Sequence, residues 1–123
     1  METVWTFVKY NPKLLAELDK LSPLEKYLIR ETSNPDTFTE FGDGWVERVI
    51  RELQRKYGKF TEGSVTIMVD HADEQIEDII YEAVREELKK HGFVDYYEGN
   101  PFSLNKQEHQ ALNAEIAAHE EEE

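Results

Sequence analysis

Residues 3–10, TVWTFVKY, place β-branched and aromatic types on both alternating faces, Val4 and Val8 on one and Trp5 and Phe7 on the other. That pattern predicts a strand covered on both sides. Asn11-Pro12 then opens a helix, with Asn as the cap and Pro at the first helical position, and Leu14, Leu15, Leu18 and Leu21 supply its apolar stripe. Ser22 and Glu25 have capping-box spacing, which restarts the helical pattern to about Glu31 and buries Leu24, Tyr27 and Leu28. Residues 32–44 carry turn chemistry, around an alternating segment from Thr37 to Phe41 that allows a brief edge strand.

Asp43 and Gly58 bracket a helix over 45–57 whose apolar face is Val46, Val49, Ile50, Leu53 and Tyr57. SVTIMV, 64–69, reads as the best strand in the chain. The longest helix follows at 73–91, with Ile76, Ile79, Ile80, Ala83, Val84 and Leu88 as its apolar face and His91-Gly92 as its end. Phe93 to Tyr97 predicts a third strand. Pro101 and Ser103 lead into a last, weakly amphipathic helix over 104–119.

This order implies an α+β or α/β fold: a single layered domain over 1–119 with a small mixed sheet of three to four strands and roughly five helices, then a frayed acidic tail at 120–123. A chain of 123 residues is long enough to bury about two-thirds of its unfolded surface. If the strands at 64–69 and 93–97 are neighbours, they should be parallel and joined by a right-handed crossover.

Charge changes this picture. Residues 1–69 carry a net charge of −1 and residues 70–123 a net of −12, together the −13 of the whole chain. A field of one sign repels nucleic acid and anionic membranes and attracts basic surfaces. There is no cysteine, so disulfides, thiolate metal sites and thiol catalysis are excluded. The N-terminus lacks the basic start and apolar run of a signal peptide, and no stretch approaches the ~20 apolar residues of a membrane span. A cytoplasmic protein is expected.

The acidic half of the long helix is the leading candidate site. Glu74, Asp78 and Glu82 repeat at i, i+4 and i+8, so like charges stack on one face. The helix dipole rewards acids only in about the first turn, which accounts for Asp73, Glu74 and Glu77 but not for Glu82, Glu86 or Glu87. Glu74, Glu77, Asp78, Glu82 and Glu86 are the expected partner-binding carboxylates. Tyr81 is expected beside them on the outer face as an aromatic anchor. Helix carboxylates recur about every 6 Å against ~3.4 Å for phosphates along one DNA strand. A second row from Asp95, Glu98, Glu108 or Glu115 would fill the looser spacing of such a nucleic-acid mimic.

Other chemistry is thinner. Asp70 and His71, with Asp73 and Glu74, follow a strand end and offer mixed nitrogen and oxygen ligands, but they equally form a turn and an acidic cap. Asn34, Asp36, Glu40 and Asp43 lack calcium-loop spacing, and Gly42-Asp43-Gly44 lacks the rest of a phosphate-binding fingerprint. Arg48, Arg51, Arg55 and Lys59 line the outer face of the 45–57 helix and the residues just beyond it. Glu47–Arg51 and Glu52–Lys56 are spaced to pair, and a second copy's acidic half would also fit this face. Size and charge are those of small acidic inhibitors such as phage counter-defence and nuclease-immunity proteins, and no motif assigns a family. The expectation is a non-enzymatic acidic binding protein without metal or cofactor. Its partner would be a basic surface of a nucleic-acid-binding or nuclease protein, with no direct contact to nucleic acid or membrane. A structural protein whose charge serves solubility and a small metal-binding protein or enzyme at Asp70 and His71 are the alternatives.

Overall fold

The computed structural model describes residues 2–33, 44–70 and 73–121. The expected strand at 37–41, the cap at Asp43, the loop residues Asn34, Asp36 and Glu40, and His71 lie outside the described residues. The elements are β1 (Glu2–Tyr10), α1 (Pro12–Ala16), a 3-10 turn (Leu18–Lys20), α2 (Pro23–Thr32), α3 (Gly44–Tyr57), β2 (Thr61–Asp70), α4 (Glu74–Lys90), β3 (Val94–Asp95) and α5 (Lys106–Glu121). The class is α+β. No described helix is long and apolar enough to cross a membrane. The contacts fall into two compact units, one of residues 1–10 with 61–100 and one of residues 11–60 with 101–123.

In the first unit the sheet order is β2-β1-β3, and both outer strands run antiparallel to β1. The strands on either side of α4 are therefore not neighbours, because β1 lies between them. Pairing with β1 extends β2 to Thr61, three residues before the apolar run begins, in a register from Glu2↔Asp70 to Lys9↔Gly63 that shifts by one before Tyr10. Trp5 pairs with Ile67 and Phe7 with Val65, so these four share one face. The third strand is shorter than the pattern of 93–97 predicts. The Asp95 carboxylate accepts the amides of Tyr97 (2.8 Å) and Glu98 (3.2 Å), which turns the chain out of the sheet.

α4 starts where Asp73 Oδ1 accepts the Gln75 amide at 2.8 Å. It stops in a Schellman motif, with the Phe93 amide on Leu88 O (3.0 Å), the Gly92 amide on Lys89 O (3.1 Å) and Gly92 at φ +87°. Its phase differs from the expected one. Ile76 is 51% exposed, Ile79 71% exposed and Ala83 exposed, while Glu77, Ile80, Tyr81, Val84 and Leu88 are half-buried. The cause is aromatic. The Tyr81 ring lies 5.3 Å from Trp5, edge-on, and 6.3 Å from Phe7, stacked, which pins the 77–81–84–88 stripe to the sheet. Ile80 is thus only partly enclosed, and Ile80→Ala forfeits less than a fully buried isoleucine would.

The second unit is helical. Asn11 caps α1 through Oδ1 on the Lys13 amide (2.9 Å), and its Nδ2 donates to Tyr57 O (2.7 Å), at the last residue of α3, and to Lys59 O (2.9 Å), just beyond it. Both halves of the Ser22–Glu25 capping box form. Leu24, Leu28, Trp45, Val46 and Leu112 make the core cluster, so α5 contributes one buried side chain, in keeping with its weak amphipathicity. Asn105, rather than Ser103, caps α5 by receiving the Glu108 amide at 2.8 Å. α5 continues through Glu120 to Glu121.

Candidate functional site

Glu74, Asp78, Glu82 and Glu86 are all exposed along α4 and make no ion pair among the described residues. Glu87, one residue on, is within 3.5 Å of Lys90 and 3.7 Å of His91. Ile76 and Ile79 stand exposed on the same helix, so the acidic row adjoins an apolar strip. Tyr81 departs from its expected place. It faces the sheet rather than the outer surface, and its hydroxyl donates to Asp95 Oδ2.

That inward turn of Tyr81 builds a pocket. A cavity of about 250 Å³ opens between α4 and the turn after β3. Trp5, Tyr81 and Tyr97 give it aromatic walls, with Val4 at one edge. Glu77, Asp78, Asp95 and Glu98 supply four carboxylates, and no lysine or arginine lines it. Asp95 is 8% exposed and has both oxygens engaged, one by Tyr81 and one by the two turn amides. Asp78, Glu98 and Tyr97 reach solvent, and the Tyr97 ring stands edge-on to Tyr96 at 4.9 Å.

The structure therefore brings Glu77, Asp78 and Tyr81 together and leaves Glu74, Glu82 and Glu86 outside the pocket on the exposed row. It adds Trp5, Asp95, Tyr97 and Glu98. Asp95 and Glu98 do not form a second phosphate-like row, because Asp95 is buried and both belong to the pocket. Glu108 belongs to the other unit, where it caps α5 and meets Lys26 Nζ at 2.8 Å. That ion pair, with the Asn105 amide, holds its carboxyl below the usual value. The sequence marks Asp95 and Glu98 as carboxylates of a second row, Trp5 and Tyr97 as strand residues, and no turn at 95–98. Nothing in the sequence joins residues 95–98 to Trp5.

Burial, then the hydrogen bond to Asp95, pushes the Tyr81 phenol far above its ordinary value of 10.0. A folded-state value above the unfolded one gives a contribution that is complete below the unfolded value and is lost as pH rises through the folded one. Above pH 10, stability should therefore fall more steeply in the wild type than in Tyr81→Phe, which has no proton to lose. Urea melts across alkaline pH test this, and equal slopes would contradict it. Tyr27, also raised by burial, is common to both proteins.

At the strand end, Asp70 is exposed and pairs in register with Glu2, and Asp73 serves as the α4 cap. Among the described residues no group of three or more acids or histidines is placed to hold a metal. A second cavity, of about 600 Å³, lies within the helical unit. Trp45 and His119 stack in parallel there at 4.1 Å, with Arg48, Arg55 and Lys56 around them. The α3 pairs are Glu47–Arg51 (3.7 Å), as expected, and Glu52–Arg55 (2.9 Å) in place of Glu52–Lys56. Lys56 instead sits 5.2 Å over the Tyr57 ring. No protein-family model, curated protein or solved structure matches this chain.

Proposed function

We propose that this chain is a non-enzymatic acidic binding protein whose α4 surface engages a basic surface of a nucleic-acid-processing protein, as an inhibitor would. The observation that carries the reading is the exposed row Glu74, Asp78, Glu82 and Glu86, without an ion pair among the described residues, beside exposed Ile76 and Ile79. Like charges at i, i+4 cost a helix a few tenths of a kcal/mol per pair. An opposing row of lysines and arginines would relieve that repulsion, and the two isoleucines would add apolar burial at the centre of the contact. A surface shaped for phosphates offers those cations, so nucleic acid and this chain should compete for the same partner.

The test is charge reversal. Glu74→Lys, Asp78→Lys and Glu82→Lys together move the net charge from −13 to −7 without touching the stripe that meets the sheet. A matched control changes Asp19, Glu115 and Glu120 to lysine. Glu108 is unsuitable as a control because it caps α5 and pairs with Lys26. In affinity capture from source cells at low salt, the first triple should lose a partner that nucleic acid also displaces, and the control should keep it. Equal losses would make bulk charge the cause. Retention by both would remove the acidic row from the interface.

A further inference from the structure

Taking the α4 surface as the face that meets a basic protein, we propose that the aromatic and acidic pocket between α4 and the turn after β3 receives one arginine side chain of that partner. Three features select this occupant. The cavity, about 250 Å³, is smaller than the roughly 300–1,000 Å³ of small-molecule sites, so it suits a side chain better than a cofactor. Its lining favours a cation: Trp5, Tyr81 and Tyr97 present π-systems, and four carboxylates but no lysine or arginine are among the described residues that line it, the nearest such cation being Arg85 in the adjoining cavity. Its acids are divided in role. Asp95 is fully occupied by Tyr81 and the turn, so it contributes charge and rigidity, whereas Asp78 and Glu98 line the pocket, are exposed and can accept hydrogen bonds.

Arginine fits this division better than lysine. A guanidinium is planar, weakly hydrated and able to stack on an aromatic ring while its edge offers paired donors to a carboxylate. An ammonium is a compact point charge that keeps its water and makes less of a flat wall. The aliphatic stem of the arginine would pass Val4, which is half-exposed at the pocket's edge. The pocket is also preformed. Tyr81 is fixed between the sheet aromatics and Asp95, so little side-chain ordering remains to oppose binding.

The experiment titrates the full chain with three blocked amino-acid amides, those of arginine, lysine and citrulline, followed by nuclear magnetic resonance. Citrulline keeps the shape of arginine and removes its charge. The arginine amide should shift the Trp5 indole and the Tyr97 and Glu98 amide signals saturably, about tenfold more tightly than the lysine amide, and citrulline should leave them unmoved. Tyr97→Ala with Glu98→Gln should abolish those shifts, whereas Glu82→Lys with Glu86→Lys, outside the pocket, should preserve them. Equal response to lysine and arginine, response to citrulline, or no shift at these three signals would overturn the proposal. Loss of arginine binding with the partner still captured condemns the pocket alone. Arginine binding retained by a chain that captures no basic partner supports the pocket and condemns the wider reading.

Discussion

Replacing Phe7 by alanine should destabilise the protein by about 3–5 kcal/mol, the usual cost of emptying a buried phenylalanine site. Phe7 is 0% exposed, sits mid-strand opposite Val65, pairs with Asp95 on its other side, and stacks under Tyr81. Its loss removes apolar area and also the floor on which α4 rests. α4 and β2 contain no fully buried residue of their own, so little else can close the gap. Against a typical total of roughly 5–15 kcal/mol, that loss is a large fraction of the fold's stability. Val4→Ala, in the same strand but 49% exposed, provides the comparison and should stay within about 0.5 kcal/mol. Denaturant melts of the two variants decide the matter. Similar costs would mean that β1 is evenly covered and that the buried end does not dominate.

Asp95→Ala should be the next most damaging change, at about 3 kcal/mol. The carboxylate accepts from the Tyr81 hydroxyl and from the Tyr97 and Glu98 amides, and hydrogen bonds to charged groups are worth roughly 1.5–3 kcal/mol where they are sheltered. The Tyr81 bond is the sheltered one. The turn amides regain water when the side chain goes. Asp95→Asn keeps a carbonyl oxygen for the turn and should retain about half of the stability that alanine loses. Melts of the two variants, with near-ultraviolet circular dichroism to follow Trp5 and Tyr81, would check this order. A cost below about 0.5 kcal/mol for alanine would mean that the buried carboxylate stabilises nothing on balance.

Local chemistry was legible along most of the chain. The Asn11 cap, the Ser22–Glu25 box, the Asp73 cap and the Gly92 stop each depend on residues within a few positions, and each forms where its residues predict. The α+β class followed from the order of those elements. The phase of α4 did not follow. Its sequence carries two overlapping apolar stripes that share Ile80, Val84 and Leu88, and periodicity alone favours the one holding Ile76 and Ile79.

The choice between those stripes was made by partners distant in the chain. Trp5 and Phe7 offer aromatic faces, and Asp95 offers an acceptor, so the stripe bearing Tyr81 gains ring contacts and a sheltered hydrogen bond that the isoleucine stripe cannot match. The same preference turned Tyr81 from an outer anchor into a pocket wall, and it exposed the isoleucines beside the acidic row. Sheet order was decided in a similar way, since β1 is central only because β2 and β3 both pair with it. By itself, then, the sequence determined the elements, their caps and the concentration of charge on α4, because those depend on neighbours along the chain. Which face of α4 is buried, and that four carboxylates and three aromatic rings converge on one cavity, only the tertiary structure decided, because those depend on pairings across dozens of residues that local periodicity does not encode.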